Sequence, residues 1–166
     1  MSKIMQNHTL EQKLDSEVAV LISNTVFYSK GQAKKIRFAE LFDNKFLLIS
    51  LINNGIPYSF FSLIQTYTPL EEKDWTSILD LTSKSLQRYK AGSKQFGPLQ
   101  SEKIIEMAEV TNIGLEVFRD MEKFSLWLDT PSFALGKMKP KDLLKDSYGK
   151  ELVLGELVRI NYGIFA

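Results

Sequence analysis

The chain has 166 residues, 44% hydrophobic and 25% charged, with no cysteine, one histidine and a formal net charge of +1. That length holds one domain or two small ones burying about 70% of the unfolded surface, and the composition lies far from the low-hydrophobicity corner where chains stay disordered. Near-neutrality argues against a protein that coats nucleic acid, because non-specific binding scales with the phosphates neutralised. The lack of cysteine removes disulfides and thiolate chemistry. The apolar runs Val18–Ile22 and Phe46–Ile52 fall well short of the roughly 20 residues needed to span a membrane. The first residues, MSKIMQNHTLEQK, lack the apolar run of a signal peptide, so the expectation is a cytoplasmic protein with no membrane association and no cofactor.

In chain order, residues 1–40 are the least legible. Leu10–Lys13 suggest helix, while Val18–Tyr28 is β-branched enough to read as strand or as buried helix. From Ala39 the spacing of Leu41, Phe42, Phe46, Ile49, Leu51 and Ile52 predicts one helix closed by Asn53-Asn54-Gly55. Pro57 then opens a helix over Tyr58–Thr66. Thr68-Pro69 precedes another, with Glu71 and Glu72 in its first turn and Trp75, Ile78 and Leu79 on its apolar side. The pattern breaks at Asp80-Leu81-Thr82. Thr82 suits the N-cap of a short basic helix, Ser83 to Lys90, ended by Ala91-Gly92. After Gly97-Pro98, Ser101 is placed to cap a long helix carrying Ile104, Ile105, Ala108, Ile113, Val117 and Phe118, with Gly114 a candidate break or bend. A further helix from about Met121 must end near Pro131, since the residue before proline disfavours α geometry.

The inventory offers little for catalysis. The only histidine, His8, lies in the N-terminal segment, and without cysteine a zinc site is not expected. Glu71, Glu72, Asp74 and Asp80 are spaced as a solvated helix face, and no glycine-rich phosphate loop occurs. Neither a catalytic nor a metal-binding residue is assigned. Charge is instead distributed unevenly: Leu81–Ser101 holds Lys84, Arg88, Lys90 and Lys94 with no acid, and Lys30–Arg37 holds Lys34 and Lys35 as well. Two short helices on a tight turn, the second basic, make a candidate helix-turn-helix. Ser83, Lys84, Ser85, Gln87 and Arg88 would project from it, and Arg, Lys and Gln are the types that read base edges. Any short amphipathic helix with two cations has the same look, so a solvated face stays open as the other reading.

In the last third, Pro140 starts a helix as its first residue, with Leu143-Leu144 on its apolar side. Gly149 precedes a helix from Lys150 to Ile160 whose Val153, Leu157 and Ile160 line one face, and Gly155 in mid-helix suggests a close approach by another backbone. Gly163 caps it. The chain then ends on Ile164, Phe165 and Ala166, and leaving the first two in water forgoes roughly 1.5–3 kcal/mol apiece. Either the tail folds back onto its own domain or it enters a partner's pocket.

The succession SLQRYK, LQSEKI, VFRDMEKFSLWLDTPSFALG, KPKDLL and YGKELVLGELVRINYGIFA resembles the Xre/MbcA/ParS antitoxins, partners of RES-domain toxins, over roughly Leu41 to Ala166. The resemblance implies an all-α protein: an N-terminal extension of uncertain structure at 1–40, an Xre-like helix-turn-helix DNA-binding domain at 41–106, and a small helical toxin-binding domain at 107–166. It implies a homodimer that occludes an NAD-consuming toxin and represses its own operon through operator DNA. Recognition-helix duty falls on Ser83, Lys84, Ser85, Gln87 and Arg88, and toxin occlusion on Arg159, Tyr162, Gly163, Ile164 and Phe165. The chain departs from the family pattern in carrying Lys137 where a second glycine is usual. A stand-alone helix-turn-helix transcriptional regulator without a toxin partner is the alternative.

Overall fold

The structure is a computed structural model that describes residues 3–25 and 36–163. It is all-α. In chain order the helices are α1 (Lys3–Ser23), α2 (Lys45–Asn54), α3 (Tyr58–Tyr67), α4 (Glu72–Leu79), α5 (Ser83–Gly92), α6 (Pro98–Phe118), α7 (Met121–Asp129), α8 (Pro140–Leu143) and α9 (Ser147–Asn161), with 3-10 turns at Phe38–Asp43 and Phe133–Leu135. The chain forms two compact units: residues up to 67 together with 82–105, and 68–81 together with 106–166.

In the first unit α1 packs on α3, on α2 and on the 3-10 turn at Phe38–Asp43. Leu14, Val18 and Ile22, spaced four residues apart, are fully buried on its inner side. The segment Val18–Ser23 is therefore helix rather than strand, buried on one face only, and Val26–Tyr28 lie outside the described residues. The Asp15 carboxylate accepts the Phe38 N–H at 2.7 Å, which ties α1 to the 3-10 turn. There the Phe38 ring meets those of Phe42, Phe60 and Tyr67 edge-on at 5.3, 6.1 and 5.1 Å.

The single helix expected over Ala39–Ile52 is divided at Asn44. Its side chain caps α2 by accepting the Leu47 N–H at 3.0 Å, and the preceding turn is 3-10. Ser101 likewise does not cap a helix, because α6 already begins at Pro98. Its fully buried hydroxyl instead donates to the Phe96 carbonyl at 3.2 Å and accepts the Ile56 N–H at 2.9 Å. Gly55 closes α2 at φ +86, and a Cβ there would lie 2.6 Å from the Phe96 carbonyl oxygen, so both conformation and space require glycine.

The second unit is built from α4, residues 106–118 of α6, and α7 to α9. α6 continues through Gly114 to Phe118, and the glycine is explained by packing: a Cβ would overlap the ring of Phe124 on α7. That ring is also close to Phe118 and stacks on Trp127, at 6.0 and 6.2 Å. α7 ends at Asp129 ahead of Pro131, as expected. Two mostly buried lysines make three ion pairs. Lys150 meets Glu106 at 2.8 Å, and Lys141 lies 2.7 Å from Asp129 and 3.7 Å from Asp74. Burial works to lower the Lys141 pKa, but the hydrogen bond to Asp129 and the charges of Asp74 and Asp129 outweigh it and hold the ammonium above the ordinary lysine value. Between the 3-10 turn at Phe133–Leu135 and α8, Gly136 and Lys137 are both left-handed, at φ 66 and 64. That conformation is the physical reason a second glycine suits the position Lys137 holds.

Candidate functional site

Two surfaces carry the residues singled out by the sequence. The first is α5. Asp80 takes the left-handed conformation, φ 51, at the end of α4, in the place where a glycine is usual in this turn. Thr82 then caps α5: its oxygen accepts the Ser85 N–H at 3.1 Å, and its hydroxyl donates to the Ser85 oxygen at 3.0 Å. Leu86 is buried and Tyr89 stacks flat on Phe96 at 4.3 Å, which fixes the roll of the helix. Ser83, Lys84, Gln87 and Arg88 are exposed as a result, while Ser85 is half-buried with its hydroxyl engaged by Thr82. Among the described residues, Lys84, Arg88, Lys90 and Lys94 form no ion pair, so their charge is available to an anionic partner.

The second surface is α9. Asp146 caps it by accepting the Gly149 N–H at 2.8 Å, so the helix starts at Ser147, three residues before the sequence-based boundary. Gly149, Val153 and Leu157 form its buried row; Ile160, expected in that row, is half-buried. Gly149 is dictated by α8, since a Cβ would overlap the Leu143 carbonyl oxygen. Gly155 is a different case: a Cβ there meets nothing within 4 Å, so the close backbone approach expected at this glycine is absent among the described residues.

Gly155 lies instead on an outward row, Tyr148, Leu152, Gly155, Arg159 and Tyr162, whose alternating spacing of four and three residues keeps one face of the helix. Tyr148 is 83% exposed, Leu152 58% and Tyr162 75%. The row borders a cleft of about 480 Å³ whose other wall includes Ala134 and Leu135, and Phe133 beside it is 82% exposed. Arg159 pairs with Glu156 at 3.3 Å on the rim. Contiguous exposed apolar surface edged by charge is the usual mark of an interaction site. Among the described residues no group of three or more acids or histidines is placed to hold a metal ion, and no helix is long and apolar enough to cross a membrane.

Of the toxin-side residues named from the sequence, the structure brings Arg159 and Tyr162 onto this row, with Gly163 just beyond the helix at φ 69. Ile164 and Phe165 lie outside the described residues. Tyr148, Leu152 and Phe133 went unnamed, although the heptad-like spacing of the first two with Arg159 and Tyr162 was a signal that could have found them.

Comparison with known proteins falls on the same region. The model of the Antitoxin Xre/MbcA/ParS C-terminal toxin-binding domain matches residues 114–163. The last third of the chain is similar to the toxin-binding domain of the Xre/MbcA/ParS antitoxins. Proteins named Antitoxin Xre are similar over most of their length: one from Photorhabdus laumondii is 25% identical over 118 residues, 70% of this chain and 80% of that protein. Another, from Yersinia enterocolitica, is 25% identical over 121 residues, 72% of this chain and 82% of that protein. Among solved structures, a chain of the Mycobacterium tuberculosis MbcT–MbcA toxin–antitoxin complex matches with a TM-score of 0.52 and 25% identity, covering 64% of this chain and 94% of that one. These comparisons together support an antitoxin of a toxin–antitoxin system. The matched span contains α7, α8 and α9, and with them the whole exposed row.

Proposed function

We propose that the antitoxin binds and occludes an NAD-consuming RES-type toxin through residues 107–166, and that as a homodimer it represses its own operon through residues 41–106. The observation that carries the toxin-binding reading is the exposed row on α9, Tyr148, Leu152, Arg159 and Tyr162 with Phe133 beside it, because it lies within the span matched by the toxin-binding domain. An interface of this kind needs a central apolar cluster with a charged rim, which is what the row and the Arg159–Glu156 pair provide. In this reading Arg159, Tyr162, Gly163, Ile164 and Phe165 reach toward the toxin's active site. The related M. tuberculosis antitoxin, solved in complex with its toxin, supports the same use of the fold. For DNA, support comes from the unpaired cations and exposed Ser83, Lys84, Gln87 and Arg88 of α5, with Ser85 engaged by the Thr82 cap.

The test is co-expression with the product of the neighbouring toxin gene. The full chain is expected to co-purify with that product, restore growth and preserve the NAD pool, and deletion of Asn161–Ala166 is expected to abolish rescue while leaving α1 to α8 folded. Absence of a complex with the full chain refutes the toxin-binding reading, and full rescue by the truncated chain refutes the role of the tail.

A further inference from the structure

In mid-helix a glycine is tolerated where another backbone or ring needs the space, and Gly149 and Gly114 both meet that description. Gly155 does not. It is exposed, it faces the cleft of about 480 Å³, and a Cβ built on it has open space for 4 Å, so nothing in the packing of the described residues accounts for it. What the missing Cβ does provide is a bare patch of helix backbone at the floor of the cleft, between Leu152 and Arg159, with Tyr148 at one end and Ala134 and Leu135 opposite. Beside it, one turn before, Glu151 is exposed and has no ion-pair partner among the described residues, whereas Glu156 is engaged by Arg159.

We propose that Gly155 is the seat of a single apolar side chain of the toxin, and that a cation next to that side chain pairs with Glu151. The inference rests on the toxin-binding reading above and deepens it: the bare backbone admits a side chain to van der Waals contact with the helix, Leu152 and Leu135 surround it, and Glu151 selects among partners by charge. Because the seat is shaped by an absence, it discriminates by exclusion: any side chain at position 155 occupies the volume meant for the partner.

The experiment uses the full-length chain and the purified toxin of the neighbouring gene, measured by calorimetric titration, with thermal melting of each free variant as the second readout. Gly155→Ala is expected to weaken binding about tenfold and Gly155→Leu roughly a hundredfold, as overpacking of a filled contact does. The same Gly155→Ala change is expected to raise the melting temperature of the free protein by about 2–4 °C, because it improves helix propensity and strikes no neighbour. Glu151→Lys is expected to weaken binding about tenfold or more and Glu151→Gln less, with the difference shrinking as salt is raised. Opposite signs for Gly155→Ala in the two readouts separate a binding seat from a packing role. If the wild-type chain binds the toxin while Gly155→Leu binds equally well, the seat is overturned and the toxin-binding reading stands; loss with Leu152→Asp in that case would locate the interface elsewhere on the row. If the wild-type chain does not bind, both fall together.

Discussion

Gly149→Ala is the most direct probe of how the second unit holds α9. The Asp146 carboxylate receives the Gly149 N–H at 2.8 Å and sets the helix start, which brings the Gly149 α-carbon against the end of α8. An added Cβ would overlap the Leu143 carbonyl oxygen and stand 2.8 Å from its carbonyl carbon and 3.1 Å from its Cα. All three neighbours are backbone, so no rotamer change relieves the overlap and α8 must move as a whole. Overpacking of this kind costs about 1–3 kcal/mol, with a rigid backbone neighbour placing it at the upper end, and alanine returns at most about 1 kcal/mol of helix propensity. The expected net loss is about 2 kcal/mol of unfolding free energy, from the difference of those two figures. Urea unfolding followed by far-ultraviolet circular dichroism measures it, with Gly155→Ala as the internal control, since that site in the same helix is open and should gain about 0.5–1 kcal/mol. A Gly149→Ala protein as stable as wild type, or one that shifts in step with Gly155→Ala, would show that α8 and α9 are not packed as described.

Ser101→Ala removes the hydroxyl that receives the buried Ile56 N–H and donates to Phe96; it should cost about 1–3 kcal/mol in the same urea assay, the penalty for orphaning a buried donor, and an unchanged midpoint would deny the link. For DNA, titration of the upstream region at several salt concentrations should give a log–log slope of about −3.6 per protomer if Lys84, Arg88, Lys90 and Lys94 each meet a phosphate, and Arg88→Ala should reduce its magnitude by about 0.9. Binding that is absent or independent of salt would leave α5 as scaffold only.

How much of this was legible in the sequence depends on the range of the interaction that decides each feature. The helices over Tyr58–Tyr67, Glu72–Leu79 and Met121–Asp129 follow from local apolar spacing, proline and capping, and the structure reproduces them within a residue or two. Thr82 at the start of α5 is equally local. Features set by distant neighbours were not legible. Asn44, whose side chain caps α2 by taking the Leu47 N–H, is a local exception that the continuous apolar spacing concealed. The buried face of α1 depends on α3 and on the turn at Phe38, so an apolar run alone left strand and helix equally open. The glycines make the point most sharply. Sequence position assigned the close approach to Gly155 and a boundary to Gly149, whereas the packing gives the close approach to Gly149 and leaves Gly155 open.

That exchange bears on why α9 is built as it is. A helix with one apolar row needs only Gly149, Val153 and Leu157 to fasten it to the unit. A second row of Tyr148, Leu152 and Tyr162 on the opposite side adds nothing to the fold and leaves large side chains in water, each forgoing roughly 1.5–3 kcal/mol of burial. Folding does not select for such a row, so the proposed complex is where its stabilisation would be collected, and association recovers only the part left after the entropy of docking is offset. The inner row fastens α9 to the unit, and in the proposed toxin-binding reading the outer row is the surface the partner covers.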